Sequence, residues 1–223
     1  MYKIIIPHLL VVIFLFLTPP SGANGMEPFA IGRLRYSGGG DWYTGPTMIP
    51  NLYQALNKHL SIKNPPGEKI ISLRNESAFD VPLIFATGHG NINFTDAEAR
   101  NLRNYLLAGG FLWVDDNYGL DPYFRKNIRK VFPEKELTPL SSEHLLYNCY
   151  FPLNGLPKIH EHDGEPAQGF AMFHQERMII FYSYSADIGN GLEDAIVHKL
   201  SPDNRELAQK FSVNLVFYLL NHN

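Results

Sequence analysis

His89 stands between two glycines in Thr87-Gly88-His89-Gly90, directly after the apolar run Val81 to Ala86. An imidazole titrates near neutrality, so a histidine at a strand end is a candidate general acid or base. Gly88 and Gly90 let the backbone turn sharply there and let a ligand come close. A second apolar run, Phe111 to Val114, ends in Asp115-Asp116-Asn117, and a third, Met178 to Tyr184, leads to Ser185-Ala186-Asp187. Adjacent strand residues point to opposite faces, so Asp115 and Asp116 do not form a matched acid/base pair. One can cap the following turn while the other faces a site. His89 with Asp115 or Asp116, assisted by Asp187, is the candidate catalytic set.

A second group of residues offers recognition rather than reaction. Arg33 and Arg35 alternate on the segment before Ser37-Gly38-Gly39-Gly40-Asp41, so their side chains share one face. They can pair with Asp115, Asp116 or Asp187, or hold an anionic ligand. Asp41, Trp42 and Tyr43 follow the glycines, and an indole or phenol there can stack on a sugar or other ring. With Gly88, Gly90 and Asn117, these make the candidate ligand-binding set: Arg33, Arg35, Asp41, Trp42, Gly88, Gly90 and Asn117. His160-Glu161-His162-Asp163 puts two imidazoles on one side of an extended chain. It lacks a partner at a recognised spacing and is flanked by prolines, with His198 only a distant third candidate, so no metal and no cofactor is assigned.

Several chemistries are excluded. There is no Gly-x-Ser-x-Gly elbow, no Walker loop and no dinucleotide fingerprint. Cys149 is the single cysteine, in the aromatic stretch Tyr147 to Phe151, and reads as a buried small hydrophobe. The formal charge of −3, with scattered Lys and Arg, carries no footprint for nucleic acid and no polybasic patch for a membrane.

The elements that would position these residues alternate between strand and helix. Strands are expected at Phe29 to Tyr36, Glu68 to Leu73, Val81 to Ala86, Phe111 to Val114 and Met178 to Tyr184. Helical spacing marks Met48 to Leu60, with Ile49, Leu52, Leu56 and Leu60 on one face. Thr95-Asp96-Ala97-Glu98 is a capping box opening a helix with Ala99, Leu102 and Leu106 as its stripe and Gly109 as its end. Pro122 to Val131 is expected to be helical with Asp121 as its cap. Ser201 and Pro202 begin a last helix carrying Leu207, Phe211, Leu215 and Tyr218. Residues 133–166 are irregular and form an insertion or short antiparallel strands. Such a pattern predicts a single α/β domain over 24–223, with a mostly parallel, doubly wound sheet. Ligands of such sheets bind outside the carboxyl ends of the strands, where the polar clusters named above converge.

Residues 1–23 read as a secretory signal peptide. Lys3 precedes the apolar stretch Ile4 to Leu17, which falls short of the ~20 residues of a membrane span. Ser21-Gly22-Ala23 then offers small residues for cleavage. The expected location is periplasmic or secreted, without stable membrane insertion of the mature chain; an anchor formed by the N-terminal segment is the alternative.

Arg33-Leu34-Arg35-Tyr36, Gly39 to Tyr43, Thr87 to Gly90, Leu102 to Leu106 running into Gly109 to Leu112 and Asp115-Asp116, and Val213-Asn214-Leu215 with Tyr218 together resemble the bacterial family labelled domain of unknown function 4159. That family is in turn similar to class I glutamine-amidotransferase-like and trehalose-utilisation-like α/β folds, so the resemblance implies a flavodoxin-like layout with a cleft at the strand end near Asp115. Amidotransferases carry a cysteine there in a Gly-x-Cys-x-Gly elbow. This chain has Val114-Asp115-Asp116-Asn117 instead, and glutaminase activity is not carried over. Two readings remain for an exported domain: binding of a small polar ligand, with carbohydrate among the candidates, or hydrolysis by Asp115 or Asp116 with His89. A third is a structural subunit of a cell-envelope complex, whose sign would be an exposed apolar patch on 133–166.

Overall fold

A computed structural model describes residues 29–63 and 67–223; the stretch 1–23 that the sequence reads as a signal peptide lies outside them. The first strand, β1 (Ile31–Arg35), leads through the glycine turn to α1 (Met48–Leu60), then β2 (Lys69–Ser72) and β3 (Leu83–His89). Next come α2 (Asp96–Leu107), β4 (Phe111–Tyr118) and α3 (Asp121–Val131). The remaining elements are β5 (Thr138–Pro139), β6 (Gln168–His174), β7 (Arg177–Tyr184), α4 (Ile188–Leu192), α5 (Ala195–His198) and α6 (Pro202–His222). Seven strands form one mixed sheet in the order β2-β1-β3-β4-β7-β6-β5. The first five in that order are parallel, and β6 and β5 extend the sheet antiparallel. The parallel pairing of β3 with β4 puts Gly88 beside Asp116 and His89 beside Tyr118.

The continuously apolar strands are buried on both faces, as a parallel sheet requires. Ile31, Leu83, Phe85, Phe111, Trp113 and Phe181 face one core, closed by α1, α4 and α6. Leu34, Ile84, Ala86, Leu112, Val114 and Ile180 face the other, closed by α2 and α3. Both strand and helix periods therefore agree with a doubly wound α/β domain.

Local signals place most helix ends. Thr95 Oγ1 accepts the Glu98 N–H while the Glu98 carboxylate accepts from Thr95 N–H, the reciprocal bonds of a capping box. Ser201 Oγ accepts from Asn204 N–H with Pro202 in the first turn. The start of α3 departs from the sequence reading: Leu120 is its N-cap, and Asp121 is already helical. No side chain caps the first turn of α3; Asp116 Oδ1 instead orders the turn that leads into it, accepting the N–H groups of Tyr118 and Leu120 at 3.1 and 3.0 Å.

Residues 133–166 contain β5 and a short 3-10 turn, Leu145–Tyr147, but little other regular structure. Side chains of α6 hold this segment down instead. Asn214 Nδ2 donates to the carbonyls of Tyr147 and Phe151 and its Oδ1 accepts Phe151 N–H; Asn204 Nδ2 donates to the Ile159 carbonyl. Its apolar side chains Leu146, Tyr147, Leu153 and Ile159 are spent on the core, leaving Leu145 and Tyr150 as its exposed large hydrophobic residues.

Candidate functional site

Because the parallel strands share one carboxyl edge, the turns after β1, β3, β4 and β7 become neighbours there. The β3 turn is held by the β1 turn. Asp41 Oδ1 accepts His89 N–H at 2.5 Å, and Asp41 Oδ2 lies 2.9 Å from His89 Nδ1. Burial opposes ionisation of Asp41, but these bonds from His89 outweigh it and hold its carboxyl below the usual range. The close approach depends on Gly88, whose φ is +133°: a Cβ there would run into Tyr36 Oη and lie 2.9 Å from Asp41 Oδ1. Tyr36 Oη in turn donates to the Thr87 carbonyl at 3.0 Å.

The two aspartates of β4 diverge as strand alternation demands. Asp115 points toward the α4 side, fully buried. Its Oδ1 accepts from Ser183 Oγ at 2.6 Å and Ile188 N–H at 3.2 Å, and its Oδ2 accepts from Gly189 N–H at 2.7 Å. Burial pushes its carboxyl up to about 6, against the pull of these hydrogen bonds. Ser183 also receives Trp113 Nε1–H at 3.0 Å, which satisfies the one polar atom of the largest core side chain. Asp116 points to the α3 side, where Tyr182 Oη donates to its Oδ2 at 3.2 Å and its Oδ1 caps the turn; burial raises its pKa as well. Asn117 Oδ1 accepts from Thr87 Oγ1 at 3.1 Å, but the buried Asn117 Nδ2 has no hydrogen-bond partner among the described residues.

Asp187 sits in left-handed backbone at φ 55°, ψ 42°, immediately before α4, and is buried. Ser185, two residues earlier, is also left-handed at φ 51°. Such conformations in residues other than glycine concentrate at functional sites. Burial first, then the charges of Asp115 and Asp116, push the Asp187 carboxyl up to about 9. The irregular segment brings His160 and His162 over it: His162 Nε2 lies 2.9 Å from Asp187 Oδ2, and the two imidazole centroids are 4.6 Å apart. Tyr118, exposed at the end of β4, stacks on His162 at 5.1 Å. The sequence places no third ligand at a recognised spacing from the His-x-His pair; the fold supplies Asp187 from the turn after β7. His198 instead pairs with Glu193, its Nε2 2.6 Å from Oε2.

A cleft of about 320 Å³ opens between these groups, lined by Asp116, Asn117, Tyr118, Asp121, His162, Asp163, Tyr184 and Ser185 among others. A larger depression of about 670 Å³ lies on the helical side, between α1 and the α5–α6 region, and contains none of the expected site residues.

The two arginines go elsewhere. The sequence offers Arg33 to Asp115, Asp116, Asp187 or a ligand, and the structure gives it a different partner. Its guanidinium is buried against Glu68, at 2.5 Å from Nε to Oε1, and donates to the Thr44 and Gly45 carbonyls. A buried guanidinium must be paired, and Glu68, the residue before β2, brings its carboxylate there because β2 pairs with β1. Arg35 is exposed and lies over the Trp42 ring at 5.8 Å, while Tyr43 meets Trp42 edge-on. Cys149 is half-buried, its Sγ 3.3 Å from the Asn214 carbonyl, on the α6 side; burial raises its thiol pKa. The strand edge therefore collects Asp41, His89, Asp115, Asp116, Asn117 and Asp187, together with His160 and His162.

Residues 30–220 match the family described as Domain of unknown function (DUF4159). No curated protein matches the chain. Among the described residues no helix is long and apolar enough to cross a membrane.

Proposed function

We propose that this chain, which belongs to the DUF4159 family, binds a small polar ligand, a carbohydrate in the first instance, at the carboxyl edge of its sheet. The observation that carries the reading is the cleft at the ends of β4 and β7. It joins two tyrosine rings, Tyr118 and Tyr184, to the carboxylates of Asp121 and Asp163 and the unpartnered amide of Asn117. Aromatic faces with hydrogen-bonding groups at their rim suit the mixed apolar and hydroxylated surface of a sugar. The order β2-β1-β3-β4-β7 of the parallel strands supports a flavodoxin-like layout, of which the class I glutamine-amidotransferase-like folds are a variant. In such a sheet the strand order reverses between β1 and β3, where Asp41 meets His89. Glutaminase chemistry is not part of the reading, since Asp115 to Asn117 occupy the strand end and the one thiol lies on the α6 side. The residues before 24 support export to the periplasm or the medium.

Calorimetry with a set of neutral and acidic mono- and oligosaccharides tests this. Binding is expected, and Tyr118→Ala should weaken it about tenfold, the worth of one stacked ring. If no saccharide in the set binds, or if Tyr118→Ala and Asp163→Asn both leave binding unchanged, the proposal fails.

One observation favours hydrolysis as a second reading. Asp41 orients the His89 ring through Nδ1 and so directs Nε2 outward, as a general base requires. Asp115 and Asp116 spend their oxygens on backbone, Ser183 and Tyr182, so this version relies on His89 and Asp187. Turnover of chromogenic glycosides or esters, abolished by His89→Ala, would support it; absence of turnover would remove it.

A further inference from the structure

We propose that His160, His162 and Asp187 form a three-ligand site for a borderline-soft divalent transition-metal ion, Zn2+ first, at the rim of the cleft. One ligand atom from each lies within 4.8 Å of the other two. Ligands in a tetrahedral zinc shell, each ~2.0–2.2 Å from the ion, stand roughly 3–3.5 Å apart, so small side-chain movements bring this trio to that spacing.

The second support is the state of the polar atoms. His162 Nε2 and Asp187 Oδ2 are 2.9 Å apart, yet Oδ2 has no hydrogen-bond partner among the described residues. Asp187 is 1% exposed. The buried His160 Nδ1 is likewise without a partner. Two orphaned buried atoms, one of them facing an imidazole nitrogen, are costly if nothing lies between the groups, because buried donors and acceptors are nearly always satisfied. Among the described residues, no Lys or Arg forms a salt bridge with Asp187. A cation held by two neutral imidazoles and one carboxylate would satisfy all three groups at once.

The donor set selects the ion. Two imidazoles disfavour Ca2+ and Mg2+, which take oxygen ligands, and suit zinc or another first-row divalent metal. Three protein ligands leave a coordination position open, as in catalytic rather than structural zinc sites. His162 also lines the cleft, so the open position can face a ligand there. The nearest support for the carboxylate is Asn190 Nδ2, which donates to Asp187 Oδ1 at 3.4 Å.

This inference goes beyond the proposed function and is tested without its ligand. Chelator-stripped protein spanning residues 24–223 is titrated with Zn2+ by calorimetry, and Co2+ is followed by its visible d–d absorption. One equivalent of each is expected, with a four- or five-coordinate Co2+ spectrum. The double substitution His160→Ala/His162→Ala and the single Asp187→Asn should each cost on the order of 100-fold or more in Zn2+ affinity, at the upper end of what losing even an outer-shell partner costs. His198→Ala should not change it. Circular dichroism and thermal melting of the metal-free variants separate loss of ligands from loss of fold; His162→Gln is the milder substitute if the double variant does not fold. Absence of Zn2+ binding by the unmodified protein overturns the site. So does Zn2+ affinity that survives in the folded variants, or a preference for Ca2+ or Mg2+ over Zn2+.

Discussion

At the residue scale the carboxyl edge divides its acids by what their oxygens already hold. Asp115 and Asp116 are anchored by backbone N–H groups and hydroxyls, whereas Asp187 keeps an oxygen without a partner. Arg33 belongs with the anchored groups. Arg33→Ala should lower stability by on the order of 3 kcal/mol, because it breaks a pair whose cationic member is buried and strips two carbonyls of their donor. Urea denaturation measures this, and Arg33→Lys should recover only part of it, since an ammonium cannot reproduce the guanidinium fork. Gly88→Ala should cost more than about 1 kcal/mol, from a side chain forced to positive φ beside Asp41 and Tyr36. The same change should alter the His89 ring resonances in NMR spectra, because the Asp41–His89 contact is what the added carbon meets. Cys149→Ser, by contrast, should leave ligand binding and any turnover unchanged, and alkylating the thiol should do so too; loss of either function would place Cys149 in the site.

At the element scale α2 offers a clean test of local coding. Thr95→Ala should cost about 1 kcal/mol, the usual worth of an N-cap, read from the urea midpoint. Glu98 adds a pH dependence. Burial opposes its ionisation, but hydrogen bonds from Thr95, and then from Arg74, outweigh it and hold its carboxyl below the ordinary value of 4.5. A carboxylate whose pKa is lower folded than unfolded contributes stability that is fully present above the unfolded value. That contribution is lost as pH falls through the folded one. The stability difference between the unmodified protein and Glu98→Gln should therefore shrink from pH 7 toward pH 3; a constant difference would mean the carboxylate charge plays no part. The strand β6 shows the opposite case. Its hairpin with β7 turns through Gln175 and Glu176, both at positive φ (49° and 68°), a conformation that sequence signals by Asn or Gly. Without those residues the hairpin is silent in the sequence, and β6 goes unread between the irregular segment and Met178.

At the scale of the whole molecule, the sheet makes a site out of residues that no local pattern connects. Its five parallel strands align the turns after β1, β3, β4 and β7, and the segment 133–166, pinned by Asn204 and Asn214 of α6, carries His160 and His162 to the same edge. The same scale governs where the protein works. Mass spectrometry of the protein isolated from its native host should find a chain beginning after Ala23; a chain retaining Met1 to Leu17 would indicate an anchor.

The sequence by itself determined the alternation of strands and helices, the extent of α1, the capping of α2 and α6, and the opposite facing of Asp115 and Asp116. These depend on period and on bonds between near neighbours, which are written locally in the chain. It also marked the strand ends where polar and glycine residues gather, and so the edge on which to look. Only the tertiary structure decided that Arg33 pairs with Glu68 rather than with the strand-end acids, that α3 starts at Asp121 behind a turn anchored by Asp116, and that Asp187 meets His160 and His162. Each of these contacts joins segments far apart in the chain, brought together by strand order and by where a loop is tethered, and residue type alone leaves many such partners equally available.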